Sequence, residues 1–354
     1  MALTLTSLQQ VAAFGFDAVI DVRAPSEFAE DHLPGAINLP VLDDAERAHV
    51  GTIYKQQSPF LARKVGAALV ARNAARHLEG PLADMPGGWR PLVYCWRGGQ
   101  RSGSFASILA QVGWRVELVE GGYKAWRKLV VDTVQEQPVA APVVVLDGNT
   151  GSSKTEILNR LAGLGLQVID LEGLANHRGS LFGDMPGGQP SQKAFEGRLA
   201  MALATLDPAR PLVVEAESSR VGNLAIPKQL WSAMCAAPRV RIVAPLTARA
   251  DYLARTYADV TVDRARLVEV IARLRALHPA DTIATWHGLA ESGEFRTLAG
   301  ALMEDHYDPR YEKHRARFAP DREAVVEAAS LAPEALDPLA ARIAAAARDL
   351  FATR

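Results

Sequence analysis

Tyr94-Cys95-Trp96-Arg97-Gly98-Gly99-Gln100-Arg101-Ser102 follows the apolar run Pro91-Leu92-Val93 and precedes Phe105-Ala106-Ser107-Ile108-Leu109. An apolar run, a glycine-bearing loop and a helix-like stretch, in that order, read as a strand that turns tightly into a helix. The loop amides and the helix N-terminus then face the Cys95 sulfur and any bound anion. Arg97 and Arg101 add positive charge, so the thiol is expected to ionise more easily than a free cysteine. The stretch reads as a nucleophilic cysteine in an oxyanion cradle.

Working outward, the same alternation of short apolar runs and helix-like segments extends over residues 1–131, with strands expected at Asp17 to Val22, Pro91 to Tyr94 and Val116 to Val119. Such alternation predicts a parallel α/β sheet. Polar, proline-containing residues 132–141 read as a linker, and a second block occupies residues 142–354. It opens on the buried-strand run Val143-Val144-Val145-Leu146, with further strands at Pro211 to Val214 and Val240 to Val243. From about Val260 the pattern becomes helical, with Leu267, Val270, Ile271, Leu274 and Leu277 on one face. The Ala-rich tail beyond Asp321 reads as helix. The fold class is therefore α/β: a parallel-sheet domain, then an α/β domain with a helical C-terminal part.

The second block carries Gly148-Asn149-Thr150-Gly151-Ser152-Ser153-Lys154-Thr155 between its first strand and the helix-like Glu156-Ile157-Leu158. That context suits a phosphate-binding P-loop: backbone amides and Gly148 and Gly151 cradle phosphate, Lys154 neutralises it, and the Thr155 hydroxyl is suited to hold Mg²⁺. Ser153 stands where the motif normally has glycine, which puts ordinary nucleotide hydrolysis in question. Diphosphate binding is the expectation.

Length and composition set the frame. A chain of 354 residues favours two domains. With 49% hydrophobic and 22% charged residues it can build ordinary cores. The net charge of −1 does not advertise nucleic-acid binding by the whole chain, so RNA affinity would come from local clusters. With only Cys95 and Cys235, neither a disulfide framework nor a Cys-rich zinc site is expected, and no metal is assigned. The N-terminus lacks a signal-peptide pattern and no run reaches membrane-span length, so a cytoplasmic location and no membrane partner are expected.

Asp21-Val22-Arg23, Glu27-Phe28, His32 to Pro40, the Cys95 loop and Glu120-Gly121-Gly122-Tyr123-Lys124-Ala125-Trp126 together resemble the rhodanese domain over about 130 residues. Asp21 and Arg23 read as a structural ion pair and Gly121-Gly122 as a turn. The loop admits two chemistries. Cys95-x5-Arg101 has the spacing of cysteine-dependent phosphatases, whereas a rhodanese cysteine carries a chalcogen atom. No Asp adjoins the loop as general acid, which favours chalcogen transfer. Residues Asp43 to Leu78 form a helix-like insert, with Tyr54, Lys55, Arg63 and Lys64 open to RNA contact or simply solvated.

Asp170-Leu171-Glu172-Gly173, Asn176-His177-Arg178-Gly179-Ser180, Gln189 to Lys193, Glu215-Ala216-Glu217-Ser218-Ser219-Arg220 and Tyr307-Asp308-Pro309-Arg310-Tyr311 complete the pattern. With the rhodanese block, the chain resembles the tRNA 2-selenouridine synthase family over nearly its whole length. Ala216 departs from a stretch that reads more acidic in that family. The resemblance implies a tRNA-modifying transferase acting on the wobble 2-thiouridine of tRNA. Its substrates would be geranyl diphosphate, giving an S-geranyl-2-thiouridine intermediate, and selenophosphate from a partner enzyme that supplies it, with no permanently bound cofactor. Cys95 would carry selenium as S-selanylcysteine, with Arg97 and Arg101 on the donor phosphate. A phosphatase fused to a nucleotide-binding module is the competing reading.

Glu215 and Glu217, following a strand, are candidates for a Walker-B-like role, and Glu172 is a further candidate site residue. His177 reads as a general acid or base or as a hydrogen-bonded structural histidine, and Arg178 as a phosphate contact. Tyr307 and Tyr311 either stack a base or pack as core. Arg310, Lys313 and Arg315 are expected to bind tRNA, as are Arg264, Arg266, Arg273 and Arg275. Cys235, in an apolar setting, is expected to be dispensable.

Overall fold

The computed structural model describes residues 2–317 and 320–352. The chain divides into two compact units: Met1–Gln137 with Pro190–Thr205, and Pro138–Gln189 with Leu206–Arg354.

The first unit is built on a five-stranded sheet in the order Ala2–Leu3, Glu117–Val119, Pro91–Tyr94, Ala18–Asp21, Ala36–Asn38. All of its pairings are parallel. Helices cover both faces of such a sheet, so its central strands read as unbroken apolar runs. Ile20, Leu92, Val93, Phe105 and Leu109 are fully buried in it. The insert forms two helices, Asp44–Gln56 and Pro59–Glu79. Asp43 and Glu46 cap the first reciprocally, at 2.7 and 3.0 Å. Asn73 of the second bonds to Glu46 and to the Val41 carbonyl.

Two features of this unit were not legible in the sequence. Residues 132–136 of the expected linker continue the helix Tyr123–Val131 as a π-helical turn with Val134 buried, so irregular chain begins only at Gln137. The segment Pro190–Thr205, in the middle of the second block by sequence, belongs to the first unit. Its helix Gln192–Ala204 buries Phe195, Leu199 and Ala200 completely, and Glu196 pairs with Arg127.

The second unit has a five-stranded sheet, again parallel throughout, in the order Glu323–Glu327, Arg239–Val243, Val143–Gly148, Leu212–Glu215, Gln167–Ile169. From Val143–Gly148 the chain first fills one side of the sheet and then the other. The carboxyl end of this strand is therefore the switch point where open α/β sheets bind ligands. Glu323–Glu327 corrects the all-helical reading of the tail: this edge strand pairs with Arg239–Val243, and the Ala-rich helix starts only at Pro333. A separate apolar cluster centred on Leu267, Ile271, Leu274 and Trp286 forms the helical part. The helix Arg264–Ala272 gives way to a 3-10 turn over Arg273–Ala276, which rotates Leu277 off the predicted face and leaves it 57% exposed.

Candidate active sites

In the first unit, Cys95 follows the central strand and precedes the helix Gln100–Val112. Its side chain is 3% exposed. The Ser102 hydroxyl donates to Sγ at 3.1 Å and the Gly99 N–H at 3.3 Å. Burial pushes the thiol up, but hydrogen bonds from Ser102 and from the backbone of Ser102, Arg97 and Gly99 outweigh it, and its pKa falls below the ordinary cysteine value. Hydrogen bonds, rather than the guanidinium charges expected from the sequence, are what favour the thiolate. Arg97 is exposed and contributes its backbone N–H. Arg101 donates to Glu27 at 2.8 Å, and Arg47 reaches the same carboxylate at 2.9 Å.

The Gly121-Gly122 pair has a more particular role than a turn. Gly122 lies in the left-handed region at φ 58°, packed against the Cys95 carbonyl and the Gly98 N–H with no room for a Cβ. Tyr123 N–H then donates to the Cys95 carbonyl at 2.8 Å and Lys124 N–H to that of Trp96 at 3.1 Å. Asp21 and Arg23 form a buried ion pair at 2.6 Å, and the Arg23 guanidinium lies 4.0 Å from the centre of the Tyr123 ring. Beside the loop, Arg63, Gln100, Arg101 and Ser104 line a cleft of about 540 Å³ with apolar residues of the helical insert, and exposed Tyr54 is at its wall.

In the second unit the P-loop leaves the switch-point strand. Ser153 adopts φ 59°, a left-handed conformation that explains why glycine usually stands there; its hydroxyl is buried without a hydrogen-bond partner. Lys154 Nζ donates to the Gly148 carbonyl at 2.8 Å and lies 5.2 Å from the centre of the Tyr311 ring. Burial pulls the lysine down, while Tyr311, Glu172, Glu217 and Asp147 more than offset it, so the ammonium form is retained. Thr155 Oγ1 donates to Glu172 at 2.6 Å.

The three candidate glutamates come together. Glu215 accepts from the Glu172 N–H at 2.9 Å, while its other oxygen is buried and unpartnered. Burial, and then the charge of neighbouring carboxylates, pushes Glu215 and Glu217 well above the usual carboxylate range. Burial likewise raises Glu172, which shares a hydrogen bond with Glu217. Two carboxyl groups can bond to each other only when one holds a proton. Gly179 N–H donates to His177 Nδ1 at 3.1 Å, and burial lowers the histidine's pKa. Arg178 is held by both oxygens of Asp259, at 3.0 and 2.9 Å. Both residues line the same cavity of about 420 Å³ as Lys154, Thr155 and Glu172.

The residues expected to bind tRNA sit in different surroundings. Arg315 turns inward to Asp147 at 3.2 Å and Asn149 at 2.8 Å, bracing the P-loop. Arg310 is exposed but caps His306, and Lys313 is exposed. Of the other arginines, Arg264 bonds to the Glu291 carbonyl and Arg266 to Asp184. Tyr307 and Tyr311 line the P-loop cavity. Sequence reasoning missed Arg249, whose buried guanidinium holds the Thr150 carbonyl at 3.1 Å and Asp308 at 2.9 and 2.7 Å. Nothing local singles it out, because its helix Leu246–Thr256 also carries Asp251 and Arg255. Among the described residues no group of three or more His, Cys, Asp or Glu is arranged to hold a metal, and no helix is long and apolar enough to cross a membrane.

Two family models match the chain. A model of the tRNA 2-selenouridine synthase AAA domain matches residues 141–278, and one of the rhodanese-like domain matches residues 4–129. Curated relatives named tRNA 2-selenouridine synthase include one from Aeromonas salmonicida (strain A449), 40% identical over 68% of this chain and 64% of its own length. Another, from Nitrosomonas europaea, is 36% identical over 80% of this chain and 74% of the relative. A third, from Verminephrobacter eiseniae, is 36% identical over 83% of this chain and 87% of the relative. The chain thus spans a little under two thirds of the Aeromonas protein and most of the other two.

Proposed function

We propose that this chain, which belongs to the tRNA 2-selenouridine synthase family, converts the wobble 2-thiouridine of tRNA to 2-selenouridine in two steps. In the first, the thiocarbonyl sulfur attacks the terminal carbon of geranyl diphosphate. A C–S bond forms, the C–O bond breaks, diphosphate leaves with the electron pair, and the base loses its N3 proton. Lys154 and the P-loop amides stand where the leaving group's charge develops. The Glu172–Glu217 pair offers a carboxylate for the proton. A Mg²⁺ accompanying the diphosphate would take the Thr155 hydroxyl and phosphate oxygens as ligands, and would add positive charge at the leaving group.

In the second step a C–Se bond forms at C2 and the C–S bond breaks, releasing geranylthiolate. Water replaces selenium on phosphorus, giving phosphate. Selenium stays at the selenide level throughout, so no S–Se bond forms; Cys95 would keep the released selenide beside the base by hydrogen bonding, while the loop amides suit the donor's phosphate oxygens. S-alkylation makes this substitution feasible, because a thiocarbonyl is a poor electrophile and an alkylthio group can be displaced. Transfer RNA and an enzyme forming selenophosphate are the partners this scheme requires.

The observation that carries the reading is a buried cysteine held toward its thiolate by Ser102 and loop amides, in a chain that also has a P-loop. With tRNA bearing 2-thiouridine and both donors, Cys95→Ala should stop at S-geranyl-2-thiouridine, read by nucleoside mass spectrometry. Selenation at the normal rate by that variant would remove Cys95 from the mechanism.

A further inference from the structure

An apolar cavity of about 80 Å³ opens beside the P-loop cavity, and the two share Thr150, Ser180, Leu253, Tyr257 and Tyr307 along their border. Its wall is made by Phe182, Val260, Phe295, Leu298 and Leu302, which belong to the core of the helical part, and by buried Met303. Small side chains frame the space where two packed helices face it: Ala254 on Leu246–Thr256 and Ala299 on Phe295–Leu302. An apolar cavity continuous with a phosphate cradle fits one kind of ligand, a diphosphate carrying a hydrocarbon tail. Polar nucleosides would find few hydrogen-bond partners there, since the hydroxyl-bearing residues of the lining are Thr150, Ser180, Tyr257, Thr261 and Tyr307.

We propose that this cavity is the subsite for the distal, branched end of the isoprenoid chain whose diphosphate lies on the P-loop, and that it limits the donor to a short chain. The assignment rests on the reading of the second unit as a prenyl diphosphate site. Size sets the limit. An apolar cavity of roughly 150 Å³ takes a benzene ring, so 80 Å³ takes the branched tip of a chain while the rest lies in the wider mouth. A chain longer by an isoprene unit would need more apolar volume than this cavity offers. Leu298 and Met303 of its lining are 3% and 0% exposed.

The test is equilibrium binding of geranyl S-thiolodiphosphate, an unreactive analogue, to the full chain without tRNA, with inorganic diphosphate and the farnesyl analogue alongside. The geranyl analogue should bind roughly a hundredfold more tightly than inorganic diphosphate, the scale expected when several apolar carbons leave water. It should also outbind the farnesyl analogue. Ala299→Leu fills the cavity and should abolish most of the geranyl preference, leaving diphosphate affinity within about twofold. Ala254→Leu, on the facing helix, should do the same and stands in if the first variant does not fold. A geranyl analogue binding no better than diphosphate, or both variants keeping the preference, would overturn the assignment. Transfer to tRNA is measured separately. Tight, Ala299-dependent binding without S-geranyl product would leave the subsite standing and remove the proposed reaction.

Discussion

Gly122 is packed against Cys95 so closely that a Cβ at residue 122 would overlap the Cys95 carbonyl oxygen. The contact is backbone to backbone, so no rotamer change relieves it. Gly122→Ala should therefore displace the cysteine loop as well as incur the left-handed penalty of about 1–2 kcal/mol. The expected outcome is a lower melting temperature together with loss of selenation, while geranylation by the second unit persists. A variant with normal selenation would show that the loop does not need this buttress.

Ser102→Ala removes the strongest hydrogen bond to Cys95 Sγ and should raise the thiol's pKa, measured as the pH midpoint of iodoacetamide alkylation. The linkage sign follows. The folded-state thiol lies below its unfolded value, so its ionisation contributes stability that is present above the unfolded pKa. That contribution is lost as pH falls through the folded pKa. The melting-temperature gap between the wild type and Ser102→Ala should therefore widen at alkaline pH and narrow toward neutrality. An unchanged alkylation midpoint would mean that the amides alone hold the thiolate.

Ser153→Gly should be tolerated and stabilise the protein by about 1 kcal/mol, because the residue already sits at φ 59° and its buried hydroxyl has no partner. Lys154→Ala, by contrast, should lower geranylation roughly a hundredfold, on the scale of losing one donor at a developing negative charge. Thermal melts and initial rates separate the two effects. A large loss of geranylation in Ser153→Gly would show that the serine side chain itself contacts the donor.

Much of this was legible in the sequence, for identifiable reasons. Parallel strands buried on both faces leave unbroken apolar runs, so Pro91–Tyr94, Val143–Gly148 and Leu212–Glu215 stood out. The P-loop and cysteine loop are contiguous in the chain and carry their chemistry in adjacent residues. What was hidden depends on distant partners. Glu323–Glu327 is a half-exposed edge strand bordered by an Ala-rich helix, so local composition points the wrong way. Helix Gln192–Ala204 carries apolar residues that reveal burial but not against which unit. Arg315 looked like one of a basic run, and only Asp147 and Asn149, more than 160 residues earlier, show why it turns inward.

That inward turn divides the basic cluster. Arg310→Glu with Lys313→Glu should weaken tRNA binding and flatten the salt dependence by about 0.7–0.9 in log K per log salt for each phosphate no longer neutralised. Arg315→Ala should instead lower diphosphate affinity and the melting temperature, with little change in the salt slope, because it unbraces Asp147 and Asn149. Fluorescence titrations at several salt concentrations read both. A salt slope unmoved by the double variant would place the tRNA surface elsewhere, with the insert around Tyr54 and Arg63 the next candidate.

The central claim is that selenation passes through S-geranyl-2-thiouridine made by the same chain. Its most direct test is a time course of nucleoside mass spectrometry on tRNA bearing 2-thiouridine, incubated with purified protein and selenophosphate, with and without geranyl diphosphate. The predicted result is that S-geranyl-2-thiouridine rises and decays as 2-selenouridine appears, and that no 2-selenouridine forms when geranyl diphosphate is omitted. Full conversion of 2-thiouridine to 2-selenouridine without geranyl diphosphate would contradict it.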